Sequence, residues 1–325
     1  LTKHEELLNM LLNSGDEFVS GEEISRNLSI SRAAVWKQIN KLRELGYEFE
    51  AVSRKGYRLV SKPTSIDAAA LQLALKTTVF GRKTVLLNST VSTQGEVQKL
   101  AEEGHEEGIV VLAEEQTGGR GRFGRKFYSP AGKGIWMSLL LRPDLPLQST
   151  PQLTLLAGVA VCRAIRACTG ADVGIKWPND LLIGGRKMCG ILVESAVEDH
   201  VLRYCVAGIG VDVNFEENDY PEELRSIATS IRMETGHVVD RAPLAAAILN
   251  ELEGLYSMYK KDGFGIIASL WEALSVTVHR QVKVYNAQGS IEGRAIGLDP
   301  SGALLVEQDN GERVMVVSGE ISLID

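Results

Sequence analysis

Eight residues constrain this chain more than any other stretch: Gly118-Gly119-Arg120-Gly121-Arg122-Phe123-Gly124-Arg125. Glycine is costly inside a helix or a strand, so this density of glycines reads as a loop. The run contains a formal G-x-G-x-x-G at Gly119, Gly121 and Gly124. A dinucleotide-binding fold needs that string to leave a strand and open a helix. A strand is expected before it, at Ile109 to Ala113. After it come Lys126-Phe127-Tyr128-Ser129-Pro130 and a second strand-like run, Ile135 to Leu141. No helix opens, and the dinucleotide reading is excluded. A kinase loop is excluded because V-A-I-K, H-R-D and D-F-G are absent. A P-loop is excluded because no G-x-x-x-x-G-K-[ST] occurs. What remains is a loop that exposes backbone N–H groups and carries three guanidinium groups, suited to an anion. The plainer alternative is a basic surface loop, which leaves the glycines without a reason.

Downstream, Lys176-Trp177-Pro178-Asn179-Asp180 and Gly184-Gly185-Arg186-Lys187-Met188-Cys189-Gly190-Ile191-Leu192 read as strand, turn, short strand, glycine turn and strand. Lys176 ends one apolar strand and Lys187 begins another, so both can reach a cleft as fixed charges. A single lysine at such a position is more often merely solvated. Gly208-Ile209-Gly210-Val211-Asp212-Val213-Asn214 is a strand ending in small and polar residues. Two amphipathic patterns complete this block. Thr150 is expected to cap a helix with Leu153, Leu156, Ala160, Ile165 and Cys168 inside. Asp240 is expected to cap another, with Leu244, Ile248, Leu255 and Tyr259 inside.

The N-terminal block has a different texture. Ile24 and Leu28 share one helical face, Ser29-Ile30 makes a turn, and Ser31 caps a second helix with Val35, Ile39 and Leu42 on one side. Gly46 ends it. Phe49 to Val52 and Tyr57 to Val60 then flank the loop Ser53-Arg54-Lys55-Gly56. Helix, turn, helix, hairpin is the order of a winged helix-turn-helix. From Ile24 to Arg43 there are five basic residues and no acid. Ser31 and Arg32 open the second helix, and Ala33, Lys37, Asn40 and Lys41 lie opposite its apolar face. The wing adds Arg54, Lys55 and Arg58. Such a face suits phosphates and base edges, and DNA is the expected partner. The alternative is a solvated basic face on a small packing domain. Trp36 is expected to pack.

Net charge alone opposes that partner, since the 325-residue chain carries −7. Its distribution does not: residues 1–62 hold ten basic and nine acidic side chains. Length alone suggests about two domains, and the composition blocks raise that to three. The longest uncharged stretch, Leu145 to Cys162, contains Pro146 and Pro151 and is a poor bilayer span, so no membrane partner is expected. The cysteines, Cys162, Cys168, Cys189 and Cys205, form no C-x-x-C pair, and the histidines do not cluster. Reduced thiols, a cytoplasmic setting and no His/Cys metal site are expected.

Taken together, the strings resemble the biotin–protein ligase family in its bifunctional, DNA-binding form. The matching elements are Gly119-Arg120-Gly121-Arg122-x-Gly124-Arg125, Lys176-Trp177-Pro178-Asn179-Asp180, Arg186-Lys187-x-x-Gly190-Ile191-Leu192 and the 208–214 strand. Together they are specific, and the resemblance spans essentially the whole chain. It implies a multidomain α+β protein. A winged helix-turn-helix covers 1–63 and a central mixed α/β ligase domain, class II synthetase-like, covers 66–272. An SH3-like β-barrel covers 275–325, with strands at Val276-Thr277-Val278, Gln281 to Tyr285, Gly293 to Leu298, Ala303 to Val306 and Arg313 to Val317. Lys62-Pro63-Thr64-Ser65 is the expected linker.

The resemblance also implies chemistry. Biotin and ATP, with Mg²⁺, give biotinyl-5′-AMP, and biotin then passes to a lysine of a biotin carboxyl-carrier domain. Biotinyl-5′-AMP serves as corepressor for biotin genes, with a ligand-promoted homodimer on operator DNA. Arg122 is expected to hold the adenylate, Lys187 to contact biotin carboxylate and phosphate, and Lys176 to orient the triphosphate. Asp180 either holds Mg²⁺ or positions the acceptor amine. Arg120 and Arg125 supply further cations. Biotin's polar ring is expected at Ser92-Thr93-Gln94, favoured over Asn88-Ser89-Thr90, with Gln116, Gly119, Gly121 and Gly190 close by. Gln94 and Asp212 stand where the family usually carries Asn; Asn214 is kept. Two alternatives stay open: a biotin-sensing repressor without catalysis, and a lipoate or octanoate ligase.

Overall fold

The structure, a computed structural model, describes residues 2–63, 65–286 and 289–324. It contains two compact units, Leu1–Leu75 and Lys76–Asp325.

In the first unit, α1 (Lys3–Asn13), α2 (Gly21–Leu28) and α3 (Arg32–Glu44) precede the antiparallel pair β1 (Glu48–Val52) and β2 (Gly56–Ser61). Ser20 and Ser31 cap α2 and α3 by accepting from Glu23 N and Ala34 N, each cap contributing about 1 kcal/mol. Leu7, Leu8, Leu11, Ile24, Leu28, Val35, Ile39 and Leu42 form one core. The wing is tied down at its base, where Val19 and Tyr57 exchange two backbone hydrogen bonds of 2.9 Å. A Cβ on Gly56 would lie 2.0 Å from the Val19 carbonyl oxygen, so only glycine permits this approach. The unit runs past the expected linker, of which Thr64 lies outside the described residues. α4 (Ala68–Ala74), capped by Asp67, packs on α1 and adds Ala69 to the core. Tyr47 donates to Asp67 at 2.6 Å.

The second unit is built on a seven-stranded mixed sheet, in the order β3-β4-β5-β9-β8-β7-β6. In chain order its elements are β3 (Thr84–Leu87), α5 (Thr93–Glu102), β4 (Val110–Ala113), β5 (Gly134–Leu141) and α6 (Thr150–Thr169). Then come β6 (Gly174–Lys176), β7 (Asp180–Ile183), β8 (Arg186–Glu198) and β9 (Val201–Asp212). After these, α7 (Ile231–Thr235), α8 (Arg241–Asp262) and α9 (Gly265–Leu274) follow. Among the described residues β3 and β4 are the one pair of strands in this sheet that runs parallel. α6 packs on α8 and α9, and β5 is buried along its whole length. Among the described residues α6, extended by its preceding turn, is the one helix long and apolar enough to cross a membrane; two-thirds of that window is buried inside the protein.

Several local expectations change. Ser149, not Thr150, is the α6 cap residue. Cys168 is exposed because it falls in the last turn, beyond the part of α6 that neighbours cover. Val276–Val278 is not a strand. Val276 N bonds the Ile175 carbonyl, and Thr277 accepts from Trp177 N, so the segment seals β6 instead. The C-terminal strands are β10 (Gln281–Asn286), β11 (Gly289–Leu298), β12 (Leu304–Glu307), β13 (Arg313–Val316) and β14 (Glu320–Ile324). They form an antiparallel sheet ordered β13-β12-β11-β10-β14. Among the described residues no ladder joins β13 to β14, so the sheet is open by hydrogen bonding.

Candidate functional site

The floor of the main cleft is made by neighbouring glycines on β8 and β9. Gly190 and Gly210 are register partners, and the Phe127 ring lies over both. A Cβ on Gly210 would meet that ring at 2.5 Å and one on Gly190 at 2.9 Å. The ring is held edge-on to Trp136, at 5.9 Å between centroids. An apolar wall therefore exists only because two strands carry no side chain where they cross it.

One side of the cleft is polar. Ser92, Thr93 and Gln94, at the start of α5, are all buried. Thr93 donates through N and Oγ1 to Gln116 Oε1 at 2.9 and 3.1 Å, and its hydroxyl meets Ser138 at 2.7 Å. Gln116 Nε2 donates to Ser129 at 3.1 Å. Gln94 Nε2 reaches Leu192 O at 3.2 Å and Glu194 at 2.9 Å, while its Oε1 has no protein partner. Ser138 was not foreseen; its one signal is a hydroxyl in an otherwise apolar strand.

The other side is cationic. Arg122 donates to Asn179 Oδ1 and to the Gly319 carbonyl, both at 3.3 Å. Arg120 lies 3.6 Å from Glu194, and Arg125 forms an ion pair with Glu320. Lys187 Nζ lies 2.6 Å from Asp180 Oδ1 and 5.8 Å from the Phe127 ring centroid. Lys176 completes the group. Burial lowers the affinity of Arg122 and of Lys176 for their protons, and Asp180 opposes this in both cases. These cations come from the glycine loop, the end of β6 and the start of β8. They meet in one cleft of about 1040 Å³, its open mouth included. Phe127 and Glu320 join the site without having been singled out by sequence, and Asn179 joins it as a motif residue that had been given no role.

Not every expected residue lines it. Gly119 sits behind the wall, against Phe127 O and Ser129. Asn214 makes a two-way bond with the Val239 backbone at 2.9 Å each way, holding a loop rather than facing the cleft. Asp212 shares a face of β9 with Gly208 and Gly210. Tyr220, stacked on Phe215 at 4.4 Å, covers it, with its Oη 3.1 Å from Asp212 Oδ2. No group of three or more His, Cys, Asp or Glu side chains suited to a metal occurs among the described residues.

The first unit carries a separate candidate nucleic-acid interface. Ser31 caps α3, Arg32 pairs with Glu22 at 2.9 Å, and Ala33, Lys37 and Lys41 are exposed. Asn40 accepts from Arg43 at 3.2 Å. On the wing Arg54 is exposed at φ 67°, and Lys55 and Arg58 lie over the Phe18 ring. Arg58 also pairs with Glu50 at 2.5 Å, so it is less free than its position in the wing suggests. Trp36 is 59% exposed, which corrects the expectation of packing: its helical phase puts it at the edge of the Val35/Ile39 face, on the Asn40 side.

Comparison with known proteins now has a geometry to meet. Residues 3–58 match an HTH domain, 86–214 the biotin/lipoate A/B protein ligase family, and 280–324 the biotin protein ligase C terminal domain. The chain is 43% identical over 322 residues to a bifunctional ligase/repressor of Bacillus subtilis, covering 99% of each. It is 33% identical to the Escherichia coli bifunctional ligase/repressor, covering 96% of this chain and 95% of that one. Among solved structures it is similar to a biotin protein ligase from Aquifex aeolicus in complex with biotin and ATP. That match has 30% identity and a TM-score of 0.66, over 75% of this chain and 99% of that one.

Proposed function

The chain belongs to the bifunctional biotin ligase/repressor family, and from that premise we propose how its residues divide the work. It activates biotin with ATP, passes biotin to a carrier-protein lysine, and represses biotin genes. In the first step a biotin carboxylate oxygen attacks the α-phosphorus of ATP, forming biotinyl-5′-AMP while pyrophosphate leaves. In the second an acceptor amine attacks the mixed anhydride carbonyl, losing a proton as AMP leaves. Both steps bring anions together or spread charge over phosphate oxygens, so fixed cations and N–H donors are what they require.

The observation that carries the assignment is the meeting of Arg120, Arg122, Arg125, Lys176 and Lys187 in one cleft beside Ser92, Thr93 and Gln116. We assign the polar side to biotin's ring and the Phe127 wall to its apolar body. Arg122 holds the adenylate. Lys187 contacts carboxylate and phosphate, released from Asp180 as the ligand takes its place. Lys176 orients the triphosphate. Mg²⁺, when bound with ATP, would supply neutralisation of phosphate charge. Among the described residues the lining carboxylates are Asp180 and Glu320, both already ion-paired, so these two would be the carboxylate ligands the cleft offers an incoming Mg²⁺.

In the first unit α3 enters the DNA major groove and the wing follows the backbone. A two-fold operator fits a homodimer promoted by bound adenylate. The C-terminal sheet is read as an SH3-like barrel that closes over the loop through Gly319 and Glu320, and the protein is read as cytoplasmic. Purified protein with biotin and ATP should release pyrophosphate and label a carrier domain. Biotin binding without labelling would leave the non-catalytic repressor.

A further inference from the structure

Tyr220 has one phenolic hydrogen and two neighbours that could accept it. Its Oη lies 2.7 Å from the Thr229 carbonyl oxygen and 3.1 Å from Asp212 Oδ2. A carbonyl oxygen can only accept, so the shorter contact takes the hydrogen. The contact with Asp212 then sets lone pair against lone pair, unless the carboxyl brings a hydrogen of its own. Asp212 is 7% exposed, and its Oδ1 has no hydrogen-bond partner. A carboxylate so placed would be a buried charge with no compensating donor.

The charged and titratable groups around the pair do not supply that compensation. On β8, Lys187 faces Asp212 but is held by Asp180 at 2.6 Å. Cys189, also on β8, is fully buried and its thiol is pushed well up, so it stays neutral. Near Tyr220, Arg186 pairs with Glu234 and Asp219 with Lys133, each at 2.7 Å.

We propose that Asp212 works as a carboxylic acid that donates to Tyr220, and that this neutral pair is a latch positioning the 215–230 segment against Lys187. The hydrogen bonds then run in one direction from β9 through Tyr220 to Thr229. Thr229 N donates to the Lys187 carbonyl at 2.8 Å, and Lys187 N donates to Ile227 at 2.9 Å. Tyr220 is also stacked on Phe215, which packs on Trp136 in the cleft wall. Burial raises the Asp212 carboxyl to about 8, in keeping with the geometry. Loss of the proton draws the phenolic hydrogen away from Thr229 and sets a second anion beside Lys187. Asp212 is thus a positioning residue, acting through Tyr220 and Lys187. Its part in adenylation rests on the ligase reading; its protonation does not.

The test uses the full chain labelled with ¹³C at aspartate Cγ. One resonance, absent in Asp212→Asn, should titrate with a midpoint near 8, and in Tyr220→Phe that midpoint should move. A midpoint in the ordinary carboxylate range, near ~4, overturns the proposal. Thermal unfolding gives a second reading. The unfolded carboxyl ionises from about pH 4 while the folded one stays protonated, so this group's contribution to stability is lost as pH rises toward 8. The stability of Asp212→Asn relative to the parent should therefore grow from about pH 4 to about pH 8 and then level. A gap independent of pH speaks against a buried acid. For positioning, the ratio of pyrophosphate-release rates, Asp212→Asn over parent, should rise about tenfold between pH 7 and 9. A flat ratio removes the positioning role. A parent chain that titrates near 8 but never releases pyrophosphate would overturn the ligase reading, and with it the latch's part in adenylation, while the neutral carboxyl would stand.

Discussion

The two cationic regions of this protein use the same side chains in opposite ways. On α3 and the wing, Lys37, Lys41 and Arg54 stand in solvent, spaced by one helix and one hairpin. In the cleft, Arg122, Lys176 and Lys187 come from distant segments, are partly buried, and meet acids or carbonyls of the protein itself. Exposed charges attract a polyanion over a Debye length and weaken with salt. Partly buried charges act at contact, are screened less, and lose protein partners before they gain a ligand. The first arrangement suits a long duplex read by shape and charge; the second suits a small ligand held in one geometry.

The sharpest way to break that contrast is Lys187→Ala. Removing a fixed cation from the cleft should slow biotin-dependent pyrophosphate release by about 10²–10³-fold. A loss of tenfold or less would make Lys187 an ordinary surface charge. Arg122→Gly should come next. Losing charge-assisted hydrogen bonds of about 1.5–3 kcal/mol should release the adenylate roughly 10–100-fold faster, with promiscuous labelling of bystander proteins. Unchanged retention in a chase experiment takes Arg122 out of that role. The paired change Lys37→Ala with Lys41→Ala should weaken operator binding about tenfold and reduce the salt slope by about 2. Ligation should stay intact; its loss would mean that the two regions are not separable. The smallest effect is expected for Trp36→Ala, whose exposed ring should change thermal stability by no more than about 0.5 kcal/mol. A larger drop would restore Trp36 to a packing role.

Legibility in the sequence follows the same division. Helix α3 is readable because its cap, apolar face and basic face all fall within one short stretch, Ser31 to Glu44. The strand–turn–strand reading of Lys176 to Glu194 is also local, set by Pro178 and the Gly184-Gly185 turn, and β6, β7 and β8 follow it. Ser138, Phe127 and Glu320 were not readable, because each matters only through partners far away in the chain. Asp212 and Asn214 show the reverse situation. Their place in a motif suggests a ligand contact, yet Tyr220 covers one and Val239 occupies the other. The extension of the first unit to Leu75 is another case, since α4 carries too few residues to announce which core it joins.

By itself, the sequence determined the helix–turn–helix–hairpin order of the first unit and the strands on either side of the glycine-arginine loop, where positive charge is concentrated, and that this loop cannot open a nucleotide-binding helix. These follow from backbone sterics and periodicity, which act within a few residues. Only the tertiary structure decided which cations share a cleft, which acids hold them until a ligand arrives, and which polar residues are walled off. Those outcomes depend on strand order and burial, and burial is a property of the whole packed unit.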